Sequence, residues 1–219
     1  MRDSCDGAPP TSGSYSLLLD TIRVYDSPAF AEMYFAKWRN DLPVLQLQVF
    51  SQLVGPGRKV LDAGCGPGHH TNYLHQLGHI AVGIDLSHAA LKLAKESFKG
   101  PEFLYANMLN TPFAADEFAG IWACASVMHL PEALLEPLLI EFRRVLASRG
   151  VVALTMTLEK ESHLDAFGRY FHFYPRDRLL ERIAKAGFEL HSRDERLRSK
   201  TTEPQHPAAE WTTITARKV

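Results

Sequence analysis

Apolar positions in this chain follow two periods. Between residues 59 and 156, short continuous apolar runs alternate with segments in which apolar residues recur every three or four positions, the patterns of buried strands and of helices with one buried face. "RKVLDAG", "HIAVGIDL", "EFLYAN", "FAGIWACAS" and "GVVALTMT" read as strands. "HHTNYLHQLG", "SHAALKLAKESFKG" and "PEALLEPLLIEFRRVLASRG" read as helices. Gly78 ends the first helix, Ser87 caps the second, and Gly100 with Pro101 stops it. Pro137 must sit in the first turns of the third or kink it. A β-α-β-α succession implies an α/β fold, a doubly wound, mostly parallel sheet with helices on both faces.

The flanks differ. Residues 17–53 are helical in pattern, and "SPAFAEMYFAKW" puts Phe30, Met33, Tyr34 and Lys37 on one side, with Ser27 and Pro28 as the start signal. "GPG" at 55–57 breaks that region. Residues 1–16, rich in Gly, Pro and Ser, read as a flexible arm without the apolar stretch of a signal peptide. Residues 158–174, "LEKESHLDAFGRYFHFY", mix charges with a dense aromatic group, and "PRDRLLERIAKAGF" after them is a helix stopped by Gly187. Two last strands, "FELHSRDERL" and "EWTTITARKV", are joined by a polar segment holding Pro204 and Pro207, so they should be antiparallel. The expected organisation is an arm over 1–16, a helical segment over 17–54, and an α/β domain over 55–219 with an insertion at 158–174.

At 219 residues the chain suits one α/β domain, and its formal charge of −1 gives no overall field to draw it onto nucleic acid or an anionic membrane. A local basic patch stays open. Cys5, Cys65 and Cys124 are few and widely spaced, as in the reduced thiols of a cytosolic protein. No window approaches the roughly twenty apolar residues of a membrane span. The expectation is a soluble, cytoplasmic protein with no membrane partner; oligomeric state is not legible.

The candidate chemistry begins at "LDAGCGPGHH", residues 61–70, where Gly64, Gly66 and Gly68 follow a strand and open a helix. A dinucleotide fingerprint would place its third glycine at 69, which is His69, so the spacing argues against NAD or FAD. Cys65, His69 and His70 have no second ligand pair at zinc spacing, so no metal is expected. Asp85 ends the second strand, where a carboxylate can accept from both hydroxyls of a ribose. Asn107 ends the third; its amide suits an adenine edge, or simply a turn. Since ligands of doubly wound sheets lie at the carboxyl ends of strands, Asp62, Asp85, Asn107, Ala125 and Ser126 should share one rim.

"VLDAGCGPGHHTNYL", "VGIDLS", "ANMLNTPF" and "IWACASVMHLPEALLEPLLIEFRRVLASRGVVALTM" resemble, in order and spacing, the successive motifs of class I S-adenosylmethionine-dependent methyltransferases. The resemblance implies a seven-stranded sheet whose last strand is antiparallel, S-adenosylmethionine as cofactor, and methyl transfer by in-line displacement to a small molecule. It implies that Gly64, Gly66 and Gly68 pass under the methionine part beside Asp62 and Ala125, that Asp85 and Leu86 hold the ribose, and that Asn107 and Met108 flank the adenine. The chain departs at Asn107, where the family usually has Asp. The helices over 17–54 resemble a lid, which brings Tyr25, Tyr34 and Trp38 toward the cofactor. His129 matches a position that supports the loop after the fourth strand, with a general base as the alternative.

For the acceptor, Phe167, Tyr170, Phe171, His172, Phe173 and Tyr174 either line an aromatic pocket for a flat aromatic or heterocyclic metabolite or pack as one face of a strand. In the pocket alternative Tyr34, Ser126, His163, Tyr170 and Tyr174 touch substrate and His172 joins His129 as a candidate base. "RYFHFY" with Trp211 also resembles methyltransferases that finish modified wobble uridines of transfer RNA. Residues 176–200, however, hold eight Lys or Arg against five Asp or Glu, a mild excess for phosphate binding. A non-catalytic, cofactor-binding partner subunit is the third alternative.

Overall fold

In the computed structural model, residues 12–157, 161–198 and 210–219 are described. The chain runs α1 (Ser12–Tyr25), α2 (Pro28–Trp38), α3 (Val44–Val54), β1 (Lys59–Ala63), α4 (His69–Gln76), β2 (Ile80–Asp85), α5 (His88–Ser97), β3 (Glu102–Tyr105) and β4 (Phe118–Cys124). It continues through α6 (Leu135–Val145), β5 (Leu146–Thr157), β6 (His163–Leu164), β7 (Tyr170–Phe171), α7 (Arg176–Lys185), β8 (Phe188–Arg198) and β9 (Glu210–Lys218). Seven strands form one sheet in the order β3-β2-β1-β4-β5-β9-β8, and β6 with β7 forms a separate hairpin. β9 runs antiparallel to both β5 and β8, while β1 to β5 pair in parallel. This is the doubly wound, seven-stranded sheet that the pattern and the resemblance predict.

Burial on both faces explains why the strands read as continuous apolar runs. On β4, Ile121 enters a core with Leu61, Ile84, Phe142 and Leu154, and its neighbour Trp122 enters the opposite core with Phe50, Val60 and Leu74. The period of two therefore alternates between two apolar layers instead of between core and water. Ser87 caps α5 as expected, its Oγ accepting from Ala90 N at 2.9 Å.

Two boundaries differ from the pattern. The segment "LASRG" was expected to finish α6, yet α6 stops at Val145 and Leu146 opens β5. Leu146 is fully buried and pairs with Phe118, after which a register shift, with Arg149 at a φ of 60°, restores pairing at Val151 and Gly120. Burial of Leu146 beside β4 outweighs its helix propensity. At the other end α1 starts at Ser12, inside the stretch expected as a free arm. Its residues Tyr15, Leu18, Leu19, Ile22 and Tyr25 recur at helical spacing, which gives the helix one apolar stripe.

Sheet order reverses between β1 and β4. That switch point opens a crevice at the strand carboxyl ends, roofed by α1 and α2.

Candidate functional site

The turn after β1 assigns its glycines separate tasks. A Cβ on Gly64 would lie 2.4 Å from the Ser126 Cβ, so glycine there lets the end of β4 approach. Gly68 packs in the same way against Phe103 and Ala94, each 2.8 Å from its would-be Cβ, and does not line the pocket. Gly66 stands apart. It adopts a left-handed φ of 51°, lines the pocket, and a Cβ on it would meet no atom within 4 Å. That open space admits a ligand against the backbone.

Asp85 faces the turn from the end of β2. Its Oδ2 accepts from Gly66 N at 2.7 Å and its Oδ1 from Ser87 N at 2.8 Å, leaving each oxygen further lone pairs toward the pocket it lines. Burial pushes its pKa above the usual carboxylate value, while those N–H groups oppose the rise. Asp62 is 1% exposed and stays out of the pocket wall, accepting from Thr71 Oγ1 at 2.6 Å. Burial raises its pKa to about 7. Through that bond Asp62, expected at the cofactor, ties β1 to α4.

Leu86, Asn107, Met108, Ala125 and Ser126 share the rim. Asn107 Oδ1 accepts from Leu109 N at 2.9 Å, so the amide closes a turn and leaves its nitrogen and a second oxygen lone pair outward. Ala125 has a φ of 55°, a strained value for a residue with a Cβ. Ser126 Oγ donates to Ala63 O at 2.8 Å and fastens the ends of β1 and β4 together.

Over this rim lies a buried polar chain. His129 Nδ1 is 2.6 Å from Tyr170 O, a carbonyl that can only accept, so Nδ1 carries the proton and Nε2 accepts from the Tyr25 hydroxyl at 2.9 Å. Tyr25 in turn accepts from Arg169 Nη1 at 2.9 Å, and Arg169 is bound to Asp165 through Nε at 2.7 Å and Nη2 at 2.5 Å. The guanidinium lies 5.2 to 5.7 Å from the ring centres of Tyr25, Phe30, Phe167 and Phe171. Burial keeps His129 neutral, with a pKa lowered to about 4, and lifts that of Tyr25 well above its ordinary value. α1, the loop after β4 and the β6-β7 hairpin are thus joined by one network. Arg169 and Asp165, which the sequence did not single out, are its charged members; their only signal was a charged pair at i,i+4 inside an aromatic run.

Tyr25, Tyr34 and His129 line the pocket, whereas His163, Tyr170, His172 and Tyr174 do not. Tyr174 donates to Leu130 O at 2.7 Å, His172 bonds the Tyr170 hydroxyl at 2.9 Å, and His163 stacks on Phe171 at 5.2 Å. These side chains pack behind the wall and brace the loop carrying His129 and Leu130. In this arrangement none of the four lines the pocket that the expectation of an acceptor contact, or of His172 as base, would have them reach. The pocket of about 480 Å³ is lined instead by the α1 stripe, with Leu109, Leu130 and Leu134. Residues 1–11 and 158–160 of the expected arm and insertion, and both linker prolines, lie outside the described residues.

Residues 60–150 match a family described as a methyltransferase domain. An uncharacterized methyltransferase of Synechocystis is 33% identical over 109 residues, 50% of this chain and 51% of that protein. The chain spans about half the length of the curated relatives it matches. Among solved structures, a TehB-like SAM-dependent methyltransferase from Corynebacterium glutamicum is 25% identical with a TM-score of 0.67, over 88% of this chain and all of that one. The 1,6-didemethyltoxoflavin-N1-methyltransferase of Burkholderia thailandensis, solved with 1,6-didemethyltoxoflavin and S-adenosylhomocysteine bound, shares the fold over 98% of this chain and 93% of that one, with a TM-score of 0.75 at 18% identity.

Proposed function

We propose that the chain is a class I S-adenosylmethionine-dependent methyltransferase and that it transfers a methyl group from S-adenosylmethionine to a nucleophile on a small molecule. The observation that carries the proposal is the pairing of Gly66, with open space where a Cβ would stand, and the Asp85 carboxylate at the same rim. Asp85 would accept from the ribose hydroxyls, Leu86, Asn107 and Met108 would border the adenine, and Gly66 and Ala125 would border the methionine part. When bound there, the cofactor supplies an electrophilic methyl on a sulfonium.

The chain's own contribution is alignment and exclusion of water. Tyr25 and Tyr34 close the lid side, and the α1 stripe roofs the remaining apolar space. His129 is not a general base in this arrangement: its Nδ1–H is committed to Tyr170 O and its Nε2 accepts from Tyr25. The acceptor that fits best presents its own lone pair, as a neutral amine does, on an apolar body that the α1 stripe, Leu130 and Leu134 can cover.

The test is labelling. Methyl-labelled S-adenosylmethionine is offered with a small-molecule extract and, separately, with bulk transfer RNA. Label in the small-molecule fraction alone supports the proposal. Label in transfer RNA would transfer the substrate to the nucleic-acid alternative, and label in neither, with tight cofactor binding, would leave a partner subunit.

A further inference from the structure

Strand order gives the pocket a direction. β2, which ends in Asp85, lies on one side of β1, and β4 lies on the other. A ligand whose ribose meets Asp85 and whose adenine lies toward β3 must therefore carry its third part toward β4. His70, in the first turn of α4, is anchored on that β4 side by Trp122, whose indole Nε1–H donates to His70 Nδ1 at 3.3 Å.

An indole nitrogen only donates, so Nδ1 is the acceptor and the neutral ring carries its proton on Nε2. Burial holds the ring in that neutral state by pushing its pKa down to about 3, and the neighbouring His69 acts in the same direction. The Nε2–H has no hydrogen-bond partner among the described residues, although His70 is only 9% exposed and lines the pocket. Buried N–H groups in folded proteins are paired with protein, water or ligand, so an orphan in a pocket wall is available to an acceptor on a ligand. Trp38 of the lid packs edge-on against the imidazole at 5.0 Å, so this end of the pocket closes with the lid.

We propose that His70 Nε2–H donates a hydrogen bond to the carboxylate of the methionine part of S-adenosylmethionine, and that Trp122 sets the tautomer for it. The assignment rests on the function proposed above. An ammonium has no lone pair for such a donor, whereas a carboxylate only accepts, so the chemistry of the atom selects that end of the amino acid.

Two ligands isolate the contact. S-adenosylhomocysteine carries the amino-acid end; 5′-methylthioadenosine has the same thioether nucleoside without it. Each is titrated calorimetrically into wild-type protein, His70→Phe and His70→Gln. A charge-assisted bond of this kind corresponds to about a 10- to 100-fold loss. His70→Phe should bind S-adenosylhomocysteine that much more weakly and 5′-methylthioadenosine within about twofold of wild type, with part of the loss restored by the amide of His70→Gln. Equal losses for both ligands would make His70 a packing residue and overturn the proposal, as would an unchanged affinity for S-adenosylhomocysteine in His70→Phe. Binding of 5′-methylthioadenosine doubles as the check that each variant is folded. Wild-type protein that bound neither ligand would overturn the cofactor assignment itself, and this one with it.

Discussion

Replacing Arg169 with methionine tests whether the network over the pocket is held by one buried cation. The side chains of Arg169 and Asp165 are 10% and 1% exposed, and two guanidinium nitrogens, Nε and Nη2, converge on Asp165 Oδ2. Burial pushes the Asp165 pKa up, yet the Arg169 bonds outweigh it and hold the group below its usual value. Removing one partner of a buried pair costs about 3–5 kcal/mol, because the other charge is left without compensation. Asp165 would keep two backbone donors, Phe167 N at 3.0 Å and Arg169 N at 2.9 Å, so the lower end, about 3 kcal/mol, applies. That is survivable for a domain of ordinary stability. Urea denaturation of wild type, Arg169→Met, Asp165→Asn and the double variant measures it. Asp165→Asn should recover part of the loss in the Arg169→Met background, with a coupling of at least about 1 kcal/mol. Strict additivity, or a loss under about 0.5 kcal/mol for Arg169→Met, would show that the pair contributes no more than an exposed ion pair does.

Gly66→Ala should lower stability by only about 1–2 kcal/mol, the strain of a left-handed alanine, while weakening S-adenosylmethionine binding at least tenfold, because the new methyl enters the pocket; calorimetry that finds unchanged affinity would remove Gly66 from the site. Gly64→Ala should do the reverse and act first on stability, since its methyl meets Ser126 Cβ at 2.4 Å, and thermal melts of the two variants side by side decide this. Burial raises the pKa of Asp62 from its ordinary 3.8 to about 7 in the folded state. Between those values the folded state holds a proton that the unfolded state has released, so wild-type stability should fall relative to Asp62→Asn as pH rises from 4 to 8, by up to about 4 kcal/mol. A stability difference that stays constant across that range would mean that Asp62 titrates normally.

The α/β layering was legible because the central strands β1, β2, β4 and β5 are buried on both faces, which writes continuous apolar runs such as "GVVALTMT" into the chain. Gly66, Asp85 and the rim from Asn107 to Ser126 were legible for a related reason: strand-end turns need particular residue types whatever the distant packing. Partnerships formed across the fold were not. Thr71 Oγ1 bonds Asp62, and Tyr174 bonds Leu130 O across 44 positions, and neither partnership is written in a local pattern. Arg169 reaches Tyr25 across 144 positions, and no local pattern carries such a contact. The α1 stripe is present in the spacing of Tyr15, Leu18, Leu19 and Ile22, but the Gly, Pro and Ser content of residues 1–16 masks where the helix begins.

The central claim is that Asp85 and the glycine turn form a site for S-adenosylmethionine. Calorimetric titration of that compound into wild-type protein and Asp85→Ala tests it most directly. The wild type should bind at one site per chain, and the variant, having lost both carboxylate oxygens, should bind at least tenfold more weakly, since two hydrogen bonds to a charged group are removed. Wild-type protein that shows no binding heat at any temperature, or an Asp85→Ala variant with wild-type affinity, would contradict the account.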